Sequence, residues 1–295
     1  MLTQRQVRQL WGFGGARIVK EHAERTRRCF ADDGVPVLIA ARNEEEDLPA
    51  TLLALSWSSI PVRPVVVVNG TTDATAERAE RMGAVALESS LCFKMASLQH
   101  GVATIDPGGR LGPLLFTDAD TLVGSSWAEI MVRRCRADSR PVVTLANSVF
   151  SHGESWLADA ARSARNVAID QLRRVRRQPS IAHGDNMAID FAGSTAALEA
   201  YANIDPARFI GEEEEIVRRI VRAGGECRSE TGKKAIVVTR GDRFNFADLL
   251  HIRRDPGHKR RAARYAEYGE VKPFVESDED ENPANFPANT TSMTP

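Results

Sequence analysis

The sequence lacks long hydrophobic runs, closely spaced cysteines and an excess of charge of either sign. No run approaches the roughly 20 apolar residues of a membrane span, and the N-terminus has no continuous apolar signal-peptide core. The four cysteines (Cys29, Cys92, Cys135 and Cys227) lie far apart, which argues against a disulfide framework or a cysteine metal site. The net charge is only -1, so no global basic field attracts nucleic acid. These absences predict a cytoplasmic protein that binds no nucleic acid.

Buried-strand patterns, from 35–41 to the last one at 235–239, alternate with helical patterns such as the leucines at 48–55 and the amphipathic segment 156–177. With 295 residues, 42% of them hydrophobic, the chain is long enough to bury a substantial core. The alternation predicts an α/β fold, a single domain with a mostly parallel central sheet flanked by helices. We place this domain at residues 35–275, after a basic amphipathic N-terminal extension, residues 1–34, and before an acidic disordered tail, residues 276–295.

The N-terminal extension mixes apolar residues such as Leu10, Trp11 and Ile18 with many arginines. A helix of this composition packs on its own domain with a solvated basic face, which is the favoured interpretation. Peripheral contact with the inner face of the membrane is the alternative that the composition leaves open.

Two aspartates, Asp118 and Asp120, follow the apolar run 114–116 with one residue between them. In an open α/β sheet, ligands bind in the crevice outside the carboxyl ends of the strands, so both carboxylates are expected at the mouth of a site. Two oxygen ligands at this spacing suit Mg²⁺ or Mn²⁺ held together with the phosphates of a substrate. Taken alone, the tripeptide is more often an Asp-rich turn without a ligand.

Six motifs stand in one order along the chain, each at the end of a predicted strand or the start of a predicted helix. They are residues 40–45, 68–73, 93–101, 118–120, 184–188 and 211–219. In this order they resemble the motifs of the family 2 glycosyltransferases, nucleotide-sugar enzymes with a GT-A fold, and the resemblance covers roughly residues 35–243.

The resemblance implies a GT-A-like domain and a metal-dependent inverting glycosyltransferase of the hexosyltransferase class. It would move one sugar from a nucleoside diphosphate-sugar, with a UDP-sugar favoured, to an acceptor hydroxyl of unknown identity. Mn²⁺ or Mg²⁺ would be the cofactor, held by the Asp-x-Asp motif through Asp120 and Asp118. The implied donor-binding residues are Ala40, Ala41, Arg42, Glu44, Asn69, Lys94, Asp118 and Ala119.

Asn69 departs from the family, which often has an aspartate against the pyrimidine ring. Its amide oxygen can still accept a hydrogen bond from a ring N–H, although the charge is lost. On the acceptor side, the resemblance points to Asn186 and Arg219. A homo-oligomer is left open.

Glu213 is the candidate general base, with Glu212 beside it. A carboxylate opposite the leaving group can take the proton of the attacking hydroxyl, and a single displacement of this kind inverts the anomeric carbon. The alternative is that the glutamates at residues 212–215 complement the dipole at a helix start.

Two other functions compete with this interpretation. A nucleotidyltransferase acting on sugar phosphates normally has a glycine-rich loop after its first strand, and residues 40–44 contain no glycine. A non-catalytic anion-binding module would use the basic clusters 173–177 and 251–264, but it leaves the six ordered motifs unexplained.

Overall fold

A computed structural model describes residues 4–90, 93–136, 139–151, 186–204 and 212–240. Its helices are α1 (Gln4–Gly12), α2 (Gly15–Cys29), α3 (Leu48–Leu55), α4 (Thr75–Arg81), α5 (Lys94–Ile105), α6 (Trp127–Cys135), α7 (Thr195–Ala202) and α8 (Glu212–Arg222). Its strands are β1 (Val35–Ala41), β2 (Val62–Asn69), β3 (Val85–Ser89), β4 (Leu114–Asp118), β5 (Thr121–Leu122), β6 (Val142–Ala146), β7 (Ser148–Ser151), β8 (Met187–Asp190), β9 (Glu226–Glu230) and β10 (Val237–Arg240).

The central sheet has seven strands in the order β3-β2-β1-β4-β8-β6-β9. β8 is antiparallel to both of its neighbours, and the other pairs in the sheet are parallel. The predicted α/β architecture with a mostly parallel sheet is therefore confirmed. A second, three-stranded sheet, β5-β10-β7, forms beside it.

Helices cover both faces of the central sheet. Successive residues of a strand point to opposite faces, so Val37 and Ile39 join one buried cluster and Leu38 joins the other. The first cluster includes side chains of α1, α2, α3 and α6, and the second includes side chains of α5, α7 and α8. The apolar runs of β1 and β4 are continuous because both of their faces are covered.

The two N-terminal helices pack against the same domain. Val7 and Leu10 of α1 and Ile18 and Val19 of α2 are buried in the first cluster. Their apolar side chains are therefore enclosed by the fold. None of the described helices has the length and hydropathy needed to cross a lipid bilayer.

The start of α2 is held by the loop that follows β1. The main-chain N–H of Gly15 donates to Glu46 Oε2 at 2.9 Å, and Arg78 Nη1 donates to Glu46 Oε1 at 2.9 Å. The Arg78 guanidinium, assisted by the Gly15 N–H, lowers the pKa of the Glu46 carboxyl below its usual value near 4.5. Only glycine fits at position 15, because a Cβ would lie 2.2 Å from the Glu45 carbonyl oxygen.

β1 has the bounds of the predicted strand 35–41, and α3 covers the predicted leucine-rich helical segment. β9 was not predicted, because its sequence, ECRSE, has no apolar pattern and each of its residues is half-buried. The short strands β5 and β7 were also not predicted. The last predicted strand, 235–239, is observed at Val237–Arg240, and a 3₁₀ turn at Lys233–Ala235 precedes it. The predicted helix at 156–177 and the tail at 276–295 lie outside the described residues.

Candidate functional site

The carboxyl ends of β2, β1 and β4 meet at one edge of the central sheet. Ala40 of β1 is paired with Val67 of β2 on one side and with Asp118 of β4 on the other. From β1 the chain adds β2 and β3 in one direction, whereas β4 lies on the opposite side of β1. The β1/β4 crevice is therefore a topological switch point, where open α/β sheets bind their ligands.

Lys94 lies across this crevice from the sheet, at the first residue of α5. Its Nζ is 2.6 Å from Asp118 Oδ1, and both side chains are about one-third exposed, at 34% and 29%. The structure thus brings together three predicted donor-site residues, Ala40, Lys94 and Asp118. Arg42 follows them at the end of β1 and is half-buried, and Ala41 is buried.

Asn69 ends β2, one strand away from the crevice. Its Nδ2 donates to Ser97 Oγ at 3.0 Å, and Ser97 Oγ donates in turn to the Phe93 carbonyl at 3.0 Å. Because the single hydroxyl proton of Ser97 is used on Phe93, Ser97 must accept from Asn69, and this fixes the orientation of the amide. Asn69 Oδ1 is then a buried acceptor without a hydrogen-bond partner among the described residues.

The loops after β1 and β2, residues 42–47 and 70–74, are joined by reciprocal hydrogen bonds. Asn43, at a φ of 53°, receives the N–H of Thr72 on its Oδ1 at 2.9 Å. The N–H of Glu45 donates to Asp73 Oδ2 at 3.2 Å, and Glu45 Oε2 accepts from the N–H of Ala74 at 3.3 Å.

Glu44, another predicted donor-site residue, lies in the first of these two loops. Its main-chain N–H donates to Thr75 Oγ1 at 2.8 Å, and its side chain is largely buried. Each loop thus supplies acceptors for the main chain of the other, and both are held beside the carboxyl edge of the sheet.

The aspartate turn, residues 118–121, connects β4 to β5. Thr51 of α3 donates its hydroxyl to the Ala119 carbonyl at 2.7 Å, and the N–H of Arg240 donates to the Asp120 carbonyl at 3.0 Å. The hydroxyl groups of Thr121 and Thr239 share a hydrogen bond of 2.9 Å. Ala119 itself is buried.

The Arg240 guanidinium also forms an ion pair with Asp47, at the start of α3. Asp47 is only 8% exposed, so this pair replaces the hydration of a nearly buried carboxylate. The aspartate turn is thus enclosed between α3 and β10.

The donor atoms of the aspartate turn fit a divalent cation that shares its shell with a substrate. Two carboxylates supply hard oxygen ligands, which suit Mg²⁺ and Mn²⁺, and phosphate and water oxygens complete such shells. Among the described ranges, no group of three or more His, Cys, Asp or Glu side chains converges on one point. Asp118 and Asp120 are the carboxylates of the turn that could hold a cation, with phosphate and water oxygens as its other ligands.

The predicted acceptor-side residues use their polar groups within the fold. Asn186 accepts from Trp127 Nε1 at 2.8 Å and donates to the carbonyls of Asn147 and Ala235 at 2.8 and 2.9 Å. Arg219 pairs with Glu215 at 2.7 Å and donates to the Asn203 carbonyl at 2.9 Å. Contact of either residue with an acceptor stays a prediction.

Glu212 and Glu213 form the first turn of α8, and the description of this turn covers its backbone only. The helix follows residues 205–211, which lie outside the described residues, and its body packs on β9 and β6. The proposed role of Glu213 as general base stays a prediction.

Sequence reasoning missed three residues that shape this site: Thr51, Ser97 and Asp47. One signal was visible for Thr51, because it is the only polar residue in the otherwise apolar helix Leu48–Leu55. An isolated hydroxyl in a fully buried helix needs a partner, which points to a specific contact. Ser97 and Asp47 carry no comparable signal, because serine and aspartate are ordinary residues at helix starts.

Comparisons with protein-family models find no match to the chain. A comparison with curated proteins finds no match either. Among solved structures, it is similar to glucosyl-3-phosphoglycerate synthase from Mycobacterium tuberculosis in complex with Mn²⁺ and uridine-diphosphate-glucose, at 15% identity and a TM-score of 0.48, over 86% of this chain and 85% of that chain. The complex of that enzyme with Mn²⁺, uridine-diphosphate-glucose and phosphoglyceric acid is similar at 15% identity and a TM-score of 0.46, over 77% of this chain and 78% of that chain. A crystal structure of a mycobacterial protein is similar at 17% identity and a TM-score of 0.44, over 74% of this chain and 68% of that chain. The identities are too low to transfer a substrate or a metal.

Proposed function

We propose that this chain is a metal-dependent glycosyltransferase. It transfers one hexose from a nucleoside diphosphate-sugar, with a UDP-sugar favoured, to an acceptor hydroxyl, with inversion at the anomeric carbon. One observation carries the proposal: the β1/β4 switch point has a small residue, Ala40, directly opposite Asp118, with the Lys94 ammonium 2.6 Å from that carboxylate. This is the place in an open α/β sheet where a nucleotide binds.

The aspartate turn would hold the metal and the leaving diphosphate. Asp120 and Asp118 would bind Mn²⁺ or Mg²⁺, and the cation, when bound, neutralises charge on the departing diphosphate as a Lewis acid. Lys94 holds the Asp118 carboxylate and adds a second positive charge on the same side of the crevice. Charge placed where the leaving group develops its own charge lowers the barrier to departure.

The base of the nucleotide would lie along the ends of β1 and β2. Ala40 is half-buried and has no bulk beyond Cβ, so a planar ring can approach the backbone there, whereas the side chain of Ala41 is buried in the core. Asn69 Oδ1 is a buried acceptor whose orientation is fixed by Ser97. A ring N–H of the base, such as that of uracil, would satisfy this acceptor, and the resemblance of the sequence favours a UDP-sugar.

The acceptor hydroxyl would be activated from the far side of the sugar. Glu213 lies in the first turn of α8, in the motif that carries the base in the family that the sequence resembles. A carboxylate in this role removes the proton as the hydroxyl attacks, and a single displacement needs no covalent intermediate.

The proposal is tested by thermal unfolding of the purified chain with Mn²⁺ and a panel of nucleotides that includes UDP, GDP and their sugars. Ligand at about 100 times its Kd stabilises by about 2.7 kcal/mol, which raises the Tm of a chain of this size by roughly 4 °C. We expect the largest shift with UDP or a UDP-sugar. Asp120→Ala should abolish the shift that depends on Mn²⁺.

Asp33→Ala is the matched control, because Asp33 is an exposed aspartate that precedes β1, at the opposite end of that strand from the crevice. It should keep the full shift. If the wild-type chain is stabilised by no nucleotide of the panel, the proposed function is wrong. A response to nucleoside triphosphates alone would favour the nucleotidyltransferase alternative.

A further inference from the structure

α3 contacts the aspartate turn at two positions one helical turn apart. Asp47 and Thr51 are separated by four residues and so lie on the same side of the helix. Thr51 reaches the turn directly, through its hydroxyl and the Ala119 carbonyl. Asp47 acts through Arg240. The Asp47 carboxylate binds the Arg240 guanidinium, and the main-chain N–H of Arg240 donates to the Asp120 carbonyl.

These contacts fix the two peptide planes on either side of Asp120. The Ala119 carbonyl belongs to the plane before the Asp120 Cα, and the Asp120 carbonyl belongs to the plane after it. Each peptide unit is rigid, so holding both planes sets φ and ψ of Asp120 and hence the direction of its Cα–Cβ bond. The Thr121–Thr239 hydrogen bond anchors the following residue as well.

The Thr51 hydroxyl is committed to this contact rather than to its own helix. A threonine inside a helix commonly donates to the carbonyl four residues earlier, which here is that of Asp47. Thr51 instead donates 2.7 Å to a carbonyl 68 positions away in the sequence. Its side chain is fully buried, so the hydroxyl has no access to water.

We propose that Thr51 is a positioning residue for Asp120. Its hydroxyl and the N–H of Arg240 together hold the backbone of Asp120 in one conformation, so the carboxylate is preorganised for the divalent cation. The part of this inference that concerns the cation rests on the proposed function. Preorganisation of a ligand by its supporting contacts is what makes a metal site selective and tight.

The test compares Thr51→Val, which replaces the hydroxyl with a methyl group of similar size, with Thr51→Ser, which keeps the hydroxyl. Mn²⁺ is titrated by electron paramagnetic resonance, with and without UDP. Hydrogen exchange is followed at the main-chain amide of Arg240, because its rate reports the stability of the hydrogen bond to the Asp120 carbonyl. We expect Thr51→Val to weaken the apparent affinity for Mn²⁺ about tenfold and to speed exchange at Arg240, because one supporting hydrogen bond is lost. Thr51→Ser should stay within about twofold of wild type.

Thr26→Val is the matched control. Thr26 is also fully buried in a helix, but its hydroxyl makes no hydrogen bond to any part of the chain that the structure describes. This variant should leave both readouts unchanged. If Thr51→Val does not fold, Thr51→Ser and Thr51→Ala provide the comparison, since both lack the methyl group and differ only in the hydroxyl.

Wild-type affinity for Mn²⁺ and unchanged exchange in the hydroxyl-free variant would overturn the inference. If the wild type binds Mn²⁺ but no nucleotide, the proposed function fails, whereas the titration of Mn²⁺ alone still decides the role of Thr51. If the wild type binds no Mn²⁺ under either condition, both proposals are overturned.

Discussion

Asn69 and Asn186 are both buried, but their amide groups are in opposite situations. Asn186 satisfies three partners at 2.8–2.9 Å and joins β8 to α6 and to the segment before β10. Asn69 has one partner, Ser97, and a buried Oδ1 without one. An unsatisfied buried acceptor costs about 1–3 kcal/mol, and in a native protein such an atom calls for a functional explanation.

This difference predicts that substitution by alanine lowers stability strongly at one of the two positions and little at the other. Asn186→Ala leaves the Trp127 N–H and two carbonyls without partners, so we expect it to lower the free energy of unfolding by about 3 kcal/mol or more. Asn69→Ala loses one hydrogen bond but also removes the unsatisfied oxygen, so its stability should stay within about 1 kcal/mol of wild type. Urea unfolding measures both values.

Binding should show the reverse order. We expect Asn69→Ala to raise the Kd for UDP about tenfold, as loss of one buried hydrogen bond implies, and a folded Asn186→Ala protein to keep its affinity. Equal destabilisation by both variants would show that the Asn69 oxygen is satisfied in solution, and the base contact would lose its support.

Individual residues of the candidate site could be predicted from the sequence only where a recognisable motif surrounds them. Asp118 and Lys94 were identified through their motifs, and the structure places them in contact. The hydrogen bonds of Asn186 were not foreseeable, because their partners, Trp127, Asn147 and Ala235, are 39 to 59 positions away in the chain. A single sequence carries no signal for such long-range pairs.

At the scale of elements, α2 depends on one glycine for its approach to the loop after β1. Gly15 at the start of the helix lies against the backbone of Glu45 and Glu46, where a Cβ would be 2.2 and 2.8 Å from main-chain atoms. Main-chain atoms of a packed loop cannot rotate away as a side chain can. The helix would therefore have to move off the loop that carries Glu44.

Gly15→Ala should lower the free energy of unfolding by about 1–3 kcal/mol, because overpacking against fixed atoms outweighs the gain in helix propensity. Gly12→Ala, at the end of α1, is the matched control, since a Cβ there meets no atom within 4 Å. The control should be neutral or slightly stabilising in the same urea experiment. Equal effects of the two substitutions would mean that α2 is not held tightly against the loop.

Elements were predictable from sequence where both burial and length were sufficient. β1 is a continuous apolar segment and was located with its observed bounds, and the helical spacing of its leucines revealed α3. β5 has two residues and β9 is a half-buried strand of polar residues, so neither produces the periodic pattern from which strands are predicted. The antiparallel direction of β8 also follows from tertiary packing and was not visible in its sequence.

At the scale of the whole molecule, the reaction rates of the cysteine thiols measure how readily the fold opens. Cys135 is fully buried, Cys227 is half-buried in β9, and Cys29 is exposed at the end of α2; all three are free thiols. Burial raises the pKa of both Cys135 and Cys227 to about 12, so almost no reactive thiolate is present at neutral pH.

We expect Ellman's reagent to modify Cys29 rapidly in the native protein, Cys227 slowly, and Cys135 only at the rate of unfolding. The measurement uses a Cys92→Ser background, because Cys92 lies outside the described residues. In urea, all three thiols should react at similar rates. Fast reaction of Cys135 without denaturant would mean that the β6 side of the sheet opens locally.

The hydrogen bonds between the loops after β1 and β2 limit how either loop can be changed alone. Main-chain N–H groups of Glu45, Thr72 and Ala74 donate to side-chain oxygens of the opposite loop, across 28 or 29 positions of sequence. Replacing one loop alone would leave hydrogen-bond donors and acceptors of the other loop without partners. The two segments therefore form one structural unit: a loop graft has to carry both, and substitutions in one constrain those tolerated in the other.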